Sequence, residues 1–84
     1  MEPYKIFLHM DLLDAIPSKG SRREEIFRFI RGLALAPATP GDYTDRDDTL
    51  RLRQVKIVGD YALTYWVDEP ARTVLIVGAR PADR

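Results

Sequence analysis

The chain has no cysteine and a single histidine, His9. Without thiols there is neither a disulfide framework nor a thiolate metal site to reinforce a small core. With one histidine, a metal site would fall almost entirely to Asp and Glu. The acidic residues Asp42, Asp45, Asp47 and Asp48 lack the ligand spacing and glycine placement of a calcium loop, and read as a solvated turn. No metal and no cofactor is expected. Net charge is also missing: 13 basic residues balance 13 acidic ones. Non-specific nucleic-acid binding draws on clustered positive charge, so the balance argues against it. Apolar runs extend only a few residues, far short of the roughly 20 that span a bilayer. The start, Met1-Glu2-Pro3-Tyr4-Lys5, leads straight into a strand-like segment without signal-peptide architecture. A cytoplasmic protein is expected. There is no Gly-x-Ser-x-Gly elbow and no phosphate-binding glycine loop, which excludes the common hydrolases, kinases and dinucleotide enzymes.

At 84 residues the chain forms one domain, residues 1–84. Such a domain buries only about two-thirds of the surface exposed by its unfolded chain, so a partner or a second copy in a homodimer would add stability. Tyr4–His9 is a strand candidate with Ile6 and Leu8 on one face. Met10–Ile16 fits two helical turns ended by Pro17 and Gly20. Ser21-Arg22-Arg23-Glu24 has the form of a capping box, with Ser21 expected to cap the next helix. Ile26, Phe29, Ile30 and Leu33 form its apolar stripe, with Arg22, Arg23, Glu25, Arg28 and Arg31 opposite. Pro37 and Pro40 forbid continuation beyond Ala36. Gly41–Thr49 is a polar loop with room for a short edge strand around Tyr43.

The last third is a meander. Val55–Val58 and Tyr61–Val67 flank Gly59-Asp60 at hairpin spacing, and Thr73–Val77 supplies the next strand, leading to Arg80. Leu50 and Leu52 share one parity while Val55 and Ile57 share the other. That switch predicts either a bulge near Arg53-Gln54 or a strand apolar on both faces. The order is β-α-α-β-β-β: an α+β domain whose antiparallel sheet has two helices packed on one face.

In the Tyr61–Val67 strand, Tyr61, Leu63, Tyr65 and Val67 are assigned to the core. Ala62, Thr64 and Trp66 then lie on the open face, where Trp66 is either a partner-binding anchor or a ring covered by a loop or the tail. The hairpin register decides where Lys56 points. A two-residue loop pairs it with Leu63 on the core side, and a three-residue loop brings it to the face of Trp66. One catalytic chemistry stays open: metal-free phosphodiester cleavage, in which cations stabilise charge building on a phosphate. Lys56, Arg80, Arg51 and Arg53 are the candidate cations, and Tyr43 is a candidate proton-shuttling or stacking group. Each of these also reads as a solvated surface charge or a packed aromatic.

A strand, two helices and a meander running Val55-Lys56-Ile57-Val58-Gly59-Asp60-Tyr61, with Tyr65 and a closing Val77-Gly78-Ala79-Arg80, resembles the RelE/ParE toxin superfamily of bacterial type II toxin–antitoxin modules. Gly41–Asp47 and the tail Arg80-Pro81-Ala82-Asp83 resemble a subgroup of small members. The resemblance implies a toxin of a plasmid-stabilization type of module, neutralised by a cognate antitoxin, for which the open-face Trp66 and Thr64 are the expected contacts. It implies a target as well, either the ribosome with its mRNA or DNA gyrase. For an mRNA interferase, a metal-independent endoribonuclease, it implies Lys56 and Arg80 at the scissile phosphate and Arg51, Arg53 and Tyr43 along the RNA. Gln54 stands where the mRNA-cleaving members often carry a second lysine. Ala62 follows the hairpin tyrosine where they carry arginine, and no tyrosine follows Arg80. A non-catalytic module of the same fold, gyrase-targeting or inactive, is therefore the alternative.

Overall fold

The computed structural model describes residues 2–82; Asp83, the last residue of the tail motif, lies outside that range. Five strands and two helices follow the order β1 (Lys5–Leu8), α1 (Met10–Ala15), α2 (Ser21–Leu35), β2 (Tyr43–Arg46), β3 (Leu52–Val58), β4 (Tyr61–Asp68) and β5 (Thr73–Pro81). The sheet order is β1-β5-β4-β3-β2. β2 through β5 form an antiparallel meander, while β1 runs parallel to β5, with Ile6 beside Val74 and Leu8 beside Ile76. The sheet is therefore mixed, which corrects the antiparallel expectation. The two helices carry the chain away from β1, and its apolar pair Ile6 and Leu8 finds matching apolar neighbours only along the last strand. The edge strand expected near Tyr43 is present as β2.

The core lies between the helices and one face of this sheet. Ile26, Ile30 and Leu33 of α2 meet Leu63 and Tyr65 of β4 and Val74 and Ile76 of β5, all buried. Phe29 packs edge-on against the Tyr65 ring at 5.8 Å between centroids. The stripe read from the sequence is the buried face. Tyr65 is the largest fully buried side chain, and its hydroxyl donates to the Thr39 carbonyl at 3.0 Å. Burial pushes its pKa up to about 12, because removing water disfavours the phenolate.

Two local expectations need correction. Ser21 does not cap α2. The N-cap is Gly20, at φ 96°, with no side-chain hydrogen bond, and Ser21 is the first helical residue. A left-handed entry that glycine adopts without penalty displaces the serine from the capping position. At α1 the cap comes instead from His9, whose Nδ1 accepts the Asp11 amide at 3.2 Å. Nor does β3 bulge at Arg53-Gln54. Its register with β4 runs unbroken from Gln54↔Tyr65 to Val58↔Tyr61, and the irregularity sits between Thr64 and Tyr65, opposite Gly78 and Ile76. The parity switch reflects a strand with apolar residues on both faces, the other alternative raised by its sequence.

The β3–β4 hairpin turns on Gly59-Asp60, with Gly59 at φ 63°. Arg22 of α2 ties this turn to the helix layer through Nε to Asp60 Oδ1 at 2.7 Å. A Cβ on Gly59 would be strained by the positive φ and would displace the Arg22 guanidinium. The guanidinium is flexible, so Gly59→Ala is expected to cost about 1 kcal/mol. Urea denaturation of the two proteins measures that difference.

Candidate functional site: the uncovered face of the sheet

Side chains alternate across a sheet, and directly paired residues share a face. With Lys56 opposite Leu63 and Arg80 opposite Ala62, the placement of every candidate follows. Leu63 and Tyr65 point to the helices. Ala62, Thr64 and Trp66 point away from them, as expected. Joining them on the uncovered face are Tyr43 and Asp45 of β2, Arg53, Val55 and Ile57 of β3, Arg80 and Leu75 of β5, and Lys5 and Phe7 of β1.

A cleft of about 500 Å³ opens at one end of this face, lined by Tyr43, Ile57, Gly59, Asp60, Ala62, Arg80 and Ala82. Gly59, Ala62 and Ala82 form part of its wall, with Ile57, the half-exposed Tyr43 and the exposed Arg80 as its larger groups. Ala62 matters here for what it is not: a longer side chain at this position would fill the cleft. Thr64, farther along the same strand, stands beside Gly78, whose missing side chain leaves it room.

Lys56 is not part of this cleft. The two-residue hairpin puts it on the helix side of β3, where Nζ lies 3.5 Å from Asp42 Oδ1. Lys56 and Arg80 sit on strands flanking β4 and project from opposite faces. The lateral separation alone is about 10 Å, and the sheet lies between them. The structure does not bring the two expected catalytic cations to one phosphate.

Arg53 and Arg51 are already engaged. Arg53 makes a two-pronged pair with Asp45, at 2.9 and 3.0 Å, and these hydrogen bonds hold its pKa above the ordinary arginine value. Arg51 lies 4.0 Å from the centre of the Trp66 ring and 3.3 Å from Asp47 Oδ2. A guanidinium stacked on an indole is held by the negative ring face. Trp66 is half-buried beneath it and lines a second cleft of about 430 Å³ with Leu52, Gln54 and the 37–40 segment. Of the two alternatives for this tryptophan, the structure combines parts of each: the ring is on the uncovered face, yet an arginine and a loop partly cover it.

The residues that organise these cations are carboxylates of the segment that reads in sequence as a solvated turn. Asp42 accepts from the Ile57 amide at 2.7 Å through one oxygen and faces Lys56 with the other. Gln54 accepts the Gly41 amide at 2.8 Å. Cross-strand register was the only sequence signal for these pairings, and it needed β2 to be placed first. The Ile57 amide, then the Lys56 charge, holds the Asp42 carboxyl below its usual range. The Thr49 hydroxyl and the Arg51 amide do the same for Asp47. A carboxyl depressed on folding contributes its stability fully above its unfolded value near about 4, and loses it as pH falls through the lower folded value. The double variant Asp42→Asn, Asp47→Asn is therefore expected to show a flatter loss of stability than the parent on acidification below about pH 4. Chemical denaturation at a series of pH values measures this slope.

No group of three or more His, Asp or Glu side chains among the described residues could hold a metal ion. Among the described residues, no helix is long and apolar enough to cross a membrane. No protein-family model and no curated protein matches this chain.

Proposed function

We propose that this protein is a RelE/ParE-like toxin component of a type II toxin–antitoxin module, acting in the cytoplasm by binding its target rather than by cutting RNA. The observation that carries the choice of mode is the division of Lys56 and Arg80 between the two faces of the sheet. Phosphodiester cleavage without a metal needs its cations converged on one phosphate, preorganised where charge develops. Here Lys56 faces Asp42, Arg53 is held by Asp45, and Arg51 stacks on Trp66. These are the pairings of a neutral, structured surface. The uncovered face instead offers shape: a cleft beside Tyr43 and Arg80, and a half-buried Trp66. Aromatic and arginine anchors in preformed clefts dominate interface energetics. The strand, two helices and meander, with the first strand laid beside the last, support the choice of family.

Inducing the protein alone in a bacterial host tests this reading, with growth, DNA supercoiling and the integrity of messages followed together. The expected result is growth arrest with intact messages, unchanged by Lys56→Ala and relieved by Ala62→Trp, which fills the cleft. Cleaved messages, abolished by Lys56→Ala and by Arg80→Ala, would establish the ribonuclease in its place. Normal growth would remove the toxin reading altogether.

A further inference from the structure

β1 forms an outer edge of the sheet. Lys5 donates its amide to the Arg72 carbonyl at 2.9 Å and Lys5 pairs with Thr73, so Lys5 and Phe7 direct their backbone groups toward β5. The backbone groups of Ile6 and Leu8 then face outward, and no hydrogen bond to them is made among the described residues. At Tyr4 the outer edge is already occupied, because its amide donates to the Ala34 carbonyl at the end of α2, at 2.8 Å. The opposite edge of the sheet is guarded differently. β2 carries Asp45 and Arg46 and runs into Asp47 and Asp48, the kind of charged edge that resists strand addition. β1 has one charge, Lys5, and an outward row of two residues with unused backbone groups.

We infer that two copies of this chain pair antiparallel through β1, about a twofold axis at Phe7. This register is singled out by the backbone. It matches Ile6 of each copy with Leu8 of the other, so all the outward amides and carbonyls at those residues find partners. A twofold axis at Ile6 would need Tyr4, which α2 has taken, and one at Leu8 would need Met10, which is helical. With the axis at Phe7, that residue faces its own copy in a close, non-hydrogen-bonded pair. Phe7 is 52% exposed in the single chain, next to the exposed Val77 and the half-buried Leu75. The charges agree. Lys5 lies opposite His9 of the second copy, whose Nδ1 is 3.5 Å from the highly exposed Asp11 carboxylate. An interface this short belongs at the small end of the range for specific contacts, so the dimer forms in a concentration-dependent way. It leaves the cleft beside Arg80 uncovered and does not depend on the toxin reading.

The absence of cysteine makes the register directly testable. Paired β-strand Cα atoms in a non-hydrogen-bonded site are close enough for a disulfide. Single-cysteine variants Phe7→Cys and Lys5→Cys are oxidised mildly at equal concentration, their folding checked by circular dichroism. Phe7→Cys is expected to form a disulfide dimer at least about tenfold faster, because the pairing holds its two thiols together at high effective concentration. Two cysteines at position 5 would be offset along the strands by about 13 Å, beyond disulfide reach. Sedimentation of the unmodified chain over a concentration series is expected to show a monomer–dimer equilibrium. In it, Lys5→Asp weakens association about twofold to fivefold and Lys5→Asp with Asp11→Lys restores it. Equal crosslinking rates for the two cysteine variants, or a monomer throughout the concentration series, would overturn the proposal.

Discussion

Replacing Gly41 by alanine is expected to unfold or severely destabilise this protein, by at least about 3 kcal/mol. A Cβ at Gly41 would lie 2.5 Å from the Val55 carbonyl oxygen and 2.8 Å from its amide nitrogen. These are backbone atoms of a strand paired on both sides, so no rotamer change can relieve the contact. Either β3 shifts, breaking its register with β4, or the 39–42 segment lifts away. Lifting it would cost the Gly41 amide its bond to Gln54 and the Asp42 amide its bond to the Val55 carbonyl. It would also loosen β2, which forms one wall of the cleft through Tyr43. Guanidinium titration reads the stability loss. At Gly32 nothing lies within 4 Å of an added Cβ, so Gly32→Ala should be neutral or stabilising, because alanine favours a helix interior. Equal losses at the two positions would sink the steric account.

The second large effect is at Tyr65. Truncation to alanine is expected to cost about 3–5 kcal/mol, as for other fully buried aromatic side chains. That is a large share of the stability of a small domain. Its ring fills the space between Phe29 and the sheet, and its hydroxyl holds the Thr39 carbonyl. Tyr65→Phe removes only the hydroxyl and is expected to cost about 1 kcal/mol, since it leaves one carbonyl unsatisfied while keeping the packing. The difference between the two variants in urea titrations separates ring from hydrogen bond. A loss at Tyr65→Phe as large as that at Tyr65→Ala would mean that the Thr39 contact, not the ring, anchors the segment after α2.

The helices and the meander were legible because their signals are local. Ile26, Ile30 and Leu33 recur at the period of a helix, and the Gly59-Asp60 turn sits between two β-branched runs. The buried face of β4 could be read from alternation alone, since Leu63 and Tyr65 outweigh Ala62 and Thr64. Ser21 fails to cap α2 for a reason equally local. A capping-box pattern and a glycine entry compete for the same position, and the positive φ at Gly20 decided between them. The candidate site was much less legible. Whether Lys56 and Arg80 share a face depends on the register of three strands, and an offset of one residue in any of them reverses the answer.

The amino-acid sequence by itself determined which segments become helix and strand, which face of each is apolar, and that no thiol or histidine cluster supports metal chemistry. Those properties follow from backbone preference and side-chain polarity a few residues apart. Tertiary structure alone decided that β1 lies parallel beside β5, that Asp42 and Asp45 claim Lys56 and Arg53, and that Lys56 and Arg80 face apart. Each of these pairs residues well separated along the chain. Their geometry is set by how strands align once the core closes, a property of the assembled sheet rather than of any stretch of sequence.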